Sequence, residues 1–179
     1  MAGYSEPYLV VEDYYGRAFF KALIDRLVSE GHLPRGLSVP RRNIRRLPGK
    51  CNVKLKRILA SAADEYHPIV LVLDAEGRPV DEVRRRIEQH VPPSCREDIK
   101  IVVLDYCAEE WICIGLGIEF SDDPVRALKN WLRKRKEAGA DYHKYMLAKF
   151  VPELDLERLI DRSRSFKAFL EALRGTRPR

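Results

Sequence analysis

Tyr8–Val11 and Ile69–Leu73 are apolar throughout, and Ile99–Leu104 is apolar except at Lys100. Each run is four to six residues long and ends in an acidic residue, which predicts strands buried on both faces. Between them the apolar positions switch to helical spacing. Phe19, Phe20, Leu23, Ile24 and Leu27 share one face of a helix that Gly31 stops. Leu55, Ile58, Leu59 and Ala62 mark a second helix over Asn52–Glu65. Val80, Val83 and Ile87 mark a third, opened by Pro79. Gly36–Pro40, bounded by prolines, is a candidate short second strand, and Arg41–Arg46 reads as a basic loop. Buried strands alternating with helices indicate a doubly wound α/β layer with a mostly parallel sheet flanked by helices.

Beyond residue 106 only helical patterns remain. Asp123–Pro124 opens one with Val125, Leu128, Trp131 and Leu132 inward, Tyr142–Phe150 and Leu156–Ile160 supply short pieces, and Phe166, Phe169, Leu170 and Leu173 form a final stripe. The expected organisation is an α/β core over 1–120, a helical C-terminal part over 121–174 packed on that core, and a tail over 175–179. Trp111 and Trp131 are expected to anchor the core. Tyr14 and Tyr15, at the opening of the first helix, are expected to pack rather than stack on a base.

Composition narrows the class. In 179 residues, 45% hydrophobic and 34% charged, one core fits under a charged surface, which excludes a disordered chain or a coiled-coil rod. No apolar run approaches the ~20 residues of a membrane span, and Met1–Pro7 has no basic start or apolar stretch of a secretory signal. A cytoplasmic protein with no membrane association is expected. The four cysteines show no Cys-x-x-Cys pair, so buried thiols are expected rather than zinc. With 22 Arg, one Gln and three Asn, the composition fits a thermophilic source. The net charge of +6 is unevenly spread. Gly31–Ala63 holds nine basic residues and no acid, which points to a polyanionic partner. Arg41, Arg42, Arg45, Arg46 and Lys54 are the candidate phosphate contacts there. Arg84–Arg86 and Arg133–Lys136 read as solvated helix faces.

The strand ends carry the candidate chemistry. Open α/β sheets bind ligands at the carboxyl ends of their strands, and those ends bring Glu12–Asp13, Asp74 with Glu76, and Asp105. For any single acid, capping the next helix is the default role. Glu caps poorly, so Glu12, Asp74 and Glu76 together favour a cation site. Asp74 and Glu76, two residues apart, face one ion if the chain stays extended. Oxygen-only ligands suit magnesium or manganese.

These residues also carry a resemblance. Tyr8-Leu-Val-Val-Glu12-Asp-Tyr-Tyr-Gly-Arg17 resembles the first motif of Toprim domains, and Val-Leu-Asp74-Ala-Glu76-Gly resembles their Asp-x-Asp motif. Pro48-Gly-Lys50-Cys-Asn-Val-Lys54, Ala108-Glu-Glu110-Trp111-Ile and Ser165-Phe166-Lys-Ala-Phe169-Leu resemble, in order, further segments of Toprim-like proteins related to overcoming-lysogenization-defect nucleases. Asp13 stands where Gly is usual, Glu76 where Asp is usual, and the Gly-rich run before the lysine is reduced to Gly49.

The resemblance implies a Toprim-like fold and magnesium- or manganese-dependent phosphoryl chemistry on DNA or RNA. Asp74 and Glu76 would hold the ion. Glu12 would complete its shell or act as general base, Glu110 would be a further ligand, and Lys50 would contact a phosphate oxygen or the leaving group. An ATPase partner is implied as well. Two other classes stay open: a nucleic-acid-binding module without turnover, and a receiver-type phosphoacceptor domain. The latter lacks a fifth strand ending in lysine.

Overall fold

The structure is a computed structural model that describes residues 6–48, 53–135 and 141–175. Four parallel strands, β1 (Tyr8–Val11), β2 (Ile44–Arg46), β3 (Ile69–Asp74) and β4 (Ile99–Leu104), form one sheet in the order β2-β1-β3-β4. The expected fold class is the one observed: an α/β chain with a parallel sheet between helices, followed by a helical C-terminal part.

Strand alternation sorts the side chains into two cores. Leu9, Val11, Val70, Val72, Val102 and Leu104 face α1 (Gly16–Ser29) and the helices of the C-terminal part. Tyr8, Val10, Ile69, Leu71, Leu73 and Val103 face α2 (Val53–Ala63) and α3 (Val80–Glu88). Buried on both sides, β1 and the Ile69–Leu73 stretch of β3 had to be apolar throughout.

The helical part is α4 (Ala108–Leu116), α5 (Pro124–Lys134), α6 (Leu147–Phe150), α7 (Leu156–Arg162) and α8 (Arg164–Arg174). It shares the first core, with Leu128, Leu147, Leu159 and Phe166 all buried in it. Asp123, Asp155 and Ser163 cap α5, α7 and α8 through their side-chain oxygens. Gly115 lets α4 approach the chain before α7 closely. A Cβ there would stand 2.9 Å from Leu154 Cδ2.

Three expectations are corrected. The second strand is not Gly36–Pro40 but Ile44–Arg46, inside the basic segment. Ile44 is buried opposite Leu9, while Arg45 and Arg46 are exposed, which a short edge strand allows. Tyr14 and Tyr15 do not pack: they are 56% and 44% exposed. Trp111 is fully buried, but Trp131 is only partly so and carries the Arg135 guanidinium 4.2 Å over its ring. Among the described residues no helix is long and apolar enough to cross a membrane. Cys95 and Cys113 are buried free thiols and Cys107 is half-buried; Cys51 lies outside the described residues.

Candidate acidic site at the carboxyl edge of the sheet

From β1 the chain moves to β2 on one side, whereas β3 lies on the other. The β1–β3 boundary is therefore the switch point of the sheet, where open α/β folds leave a crevice beyond the strand ends. Glu12 and Asp74 sit at that boundary, because Val11 pairs with Val72. The backbone N–H of Asp74 donates to Glu12 Oε1 at 3.0 Å, so the end of β3 orients the Glu12 carboxylate. Asp13 turns the chain: its Oδ1 accepts the Gly16 N–H at 2.6 Å at the start of α1.

Burial pushes the Asp74 carboxyl up to about 8, and the neighbouring charges of Glu12, Glu109 and Asp13 push the same way while Lys144 opposes them. Three neighbouring acids thus act on one carboxyl whose ionisation burial already makes costly.

The partner from α4 is Glu109, not Glu110. Glu109 is 1% exposed, and its Oε1 accepts the Tyr142 hydroxyl at 2.6 Å. Burial and this carboxylate push up the pKa of both Tyr142 and the Cys107 thiol. Glu110 instead reaches back along its own chain, its Oε2 accepting the Tyr106 N–H at 2.9 Å near the start of α4. Burial pushes Glu110 up to about 7, and the charge that adds to this is Asp105, not Asp74.

Glu76 is not brought onto Asp74. The pairing of acids two residues apart needs an extended chain, and Glu76 has φ +54°, followed by Gly77 at +78°. The turn Ala75–Gly77 is instead pinned to the end of β4, with Glu76 N–H donating to Tyr106 O and Gly77 N–H to Asp105 O. The Glu76 side chain stands 65% exposed, 3.3 Å from Arg78 Nη2. Lys50 lies outside the described residues.

The basic segment splits. Arg45 and Arg46, adjacent on a strand, point to opposite faces. The Arg45 charge acts on the Tyr8 phenol, opposing the burial that raises its pKa, while Arg46 is level with Val11, one residue from Glu12. Arg42 lies 3.8 Å from Glu6, before β1. Arg41 receives Arg17 Nη2 on its carbonyl at 3.4 Å, and Lys54 lies on α2.

Sequence reasoning read Tyr142–Phe150 as a helical piece but gave no site role to the segment Asp141–Met146. Besides Tyr142 it supplies Lys144, whose Nζ lies 3.1 Å from Asp13 Oδ2. Burial works against the Lys144 charge, but Asp13, with Glu109 and Asp74 behind it, outweighs this and raises its pKa. No local pattern marks this lysine. Its role comes from a contact between residues 131 positions apart.

Because Tyr142 satisfies a buried carboxylate, Tyr142→Phe is expected to destabilise the fold by about 1–3 kcal/mol. Thermal unfolding of the two proteins checks this, and an unchanged midpoint would contradict it.

The donors suit a hard cation chemically, being carboxylate oxygens with excess negative charge. Among the described residues, however, no group of three His, Cys, Asp or Glu side chains is placed to hold one ion. The arrangement fits a magnesium-like ion held by one or two carboxylates, with water and phosphate oxygens as its other ligands. It does not fit a cage built by protein alone. No protein-family model matches the chain, and no curated protein or solved structure matches it.

Proposed function

We propose that the chain is a divalent-metal-dependent nuclease, or a related phosphoryl-transfer enzyme acting on nucleic acid, with a Toprim-like site. The observation that carries this reading is the bond from the Asp74 N–H to the Glu12 carboxylate at the switch point of the sheet, with the Glu109 charge acting on the same Asp74 carboxyl. A bound cation would relieve the repulsion that burial and these charges impose on Asp74.

Glu12 and Asp74 would hold magnesium or manganese, which supplies Lewis-acid stabilisation of charge on the scissile phosphate. Glu12, oriented by the Asp74 N–H, is placed to take a proton from an attacking water. Tyr142 fixes Glu109, so the negative field at the crevice is preorganised. Lys144 balances part of that field and offers an ammonium to a phosphate oxygen. Lys50, Arg46 and Arg41 are proposed phosphate contacts, and the ATPase partner remains part of this reading.

A second reading, a nucleic-acid-binding module without turnover, draws support from Glu76. Its carboxylate stands 65% exposed beside Arg78, in a turn where the chain is not extended.

The test is cleavage of labelled single- and double-stranded DNA and RNA at low salt with magnesium or manganese. The nuclease reading expects cutting that needs the metal and falls ~10²-fold or more in Asp74→Asn and in Glu12→Gln. Binding without cutting by the wild type favours the second reading. Equal cutting by all three proteins would remove the site from the chemistry.

A further inference from the structure

The large hydrophobic side chains that stand exposed among the described residues are Tyr14, Tyr15 and Tyr145, at 56%, 44% and 57%. They are not scattered. Tyr14 follows Asp13 and Tyr145 follows Lys144 in the chain, and the 3.1 Å Asp13–Lys144 ion pair joins the two segments that carry them. Tyr15 stands against Tyr14, with ring centroids 5.7 Å apart and planes at 84°. The His143 ring stacks on Tyr145 at 5.5 Å with planes 11° apart.

Cations accompany the rings. Arg17 lies 5.9 Å from the Tyr14 centroid and Lys149 lies 5.8 Å from that of Tyr145. Arg17 Nε, moreover, is buried without a hydrogen-bond partner among the described residues. Aromatic faces interleaved with cations, on the segments that the Asp13–Lys144 ion pair joins beside the acidic site, match what an unpaired nucleic acid offers. Its bases have free faces for stacking and its phosphates meet the cations. A duplex keeps its bases stacked on one another and offers these residues its phosphates alone.

We propose that Tyr14, Tyr15 and Tyr145 form a stacking platform that makes the acidic site selective for single-stranded nucleic acid. This rests on the nucleic-acid reading given above and names the substrate class of that same site. The platform takes the bases next to the scissile phosphate, while Arg17 and Lys149 hold the flanking backbone. Stacking tolerates any base, so the selectivity is for strandedness and not for sequence.

The test is binding, kept apart from cleavage. The full chain is titrated in EDTA into a short labelled single strand and into the matching duplex, with fluorescence anisotropy as readout. The wild type is expected to favour the single strand. Tyr14→Ala and Tyr145→Ala are each expected to weaken that binding by about 5- to 100-fold, the worth of one base–aromatic stack, and to leave duplex binding nearly unchanged. Tyr14→Phe and Tyr145→Phe keep the ring and should restore wild-type affinity.

Equal losses on both substrates, or none on either, would overturn the platform while leaving nucleic-acid binding in place. Preferential loss of duplex binding would overturn it too. If the wild type binds neither substrate, the nucleic-acid reading itself fails and the platform falls with it. Thermal midpoints of the variants confirm that the exposed rings were removed without unfolding the chain.

Discussion

Asp74→Asn is expected to unfold at a higher urea concentration than the wild type at about pH 9 without divalent cation, and the two should converge at about pH 4. Burial and the charges of Glu12, Glu109 and Asp13 raise the Asp74 carboxyl from 3.8 to about 8 in the folded chain. Between those values the folded protein keeps a proton that the unfolded chain has released. Stability attributable to Asp74 is therefore greatest below pH ~4, declines as pH rises through the window, and is lowest above ~8. A tenfold change in proton affinity between the folded and unfolded chain corresponds to about 1.4 kcal/mol, so the loss is on the order of a few kcal/mol. Asn cannot ionise and escapes it. A magnesium ion that binds the folded state should restore stability to the wild type at high pH and do little for the variant. Parallel pH profiles for the two proteins would show that Asp74 is not held in its neutral form.

The second large effect lies in the core. Trp111→Ala is expected to cost about 3–5 kcal/mol, and for a chain of this length to lower the melting temperature by ~10 °C or more. Trp111 is fully buried, with the rings of Phe20, Phe166 and Phe169 at centroid distances of 5.9, 5.0 and 5.4 Å. These rings come from α1 and α8, so one side chain on α4 binds three helices together. Its Nε1–H donates to Ser165 Oγ at 2.9 Å, and Ser165 also meets Ser163 Oγ at 3.1 Å. Trp111→Phe keeps most of the ring and leaves Ser165 its other partner, so it should cost only about 1–2 kcal/mol. Glu109 precedes Trp111 by two residues on the same helix. A loosened α4 would also loosen the Glu109–Tyr142 bond, so this core position supports the acidic site. A melting temperature for Trp111→Ala within a degree or two of the wild type would contradict that view.

Much of the fold was legible because burial on both faces demands a simple pattern. β1, β3 and β4 are apolar runs, and the stripes on α1, α2, α5 and α8 repeat at helical spacing; the structure has all of them close to their expected bounds. β2 escaped notice because an edge strand of three residues, two of them arginine, has almost no pattern to read. The acids at the strand ends were legible for a related reason. A strand's carboxyl end is a position that can be counted along the chain, and Glu12 and Asp74 fall there.

What the sequence by itself determined was therefore the layered α/β class and the two acids at its switch point. Both follow from local periodicity and from where each strand stops. Tertiary structure alone decided which other groups join them. A left-handed turn at Glu76 sends that carboxylate out to Arg78. The orientation of α4 lets the Glu109 charge act on Asp74 and ties Glu110 to the Tyr106 N–H before the helix. One late segment supplies Lys144 to Asp13, 131 positions before it, and Tyr142 to Glu109, 33 positions before it. A side chain's direction depends on one dihedral or on the rotation of a packed helix, and its partners on chain closure over long separations. Spacing along a single chain encodes none of these, because they are set by the packing of the whole core around Trp111.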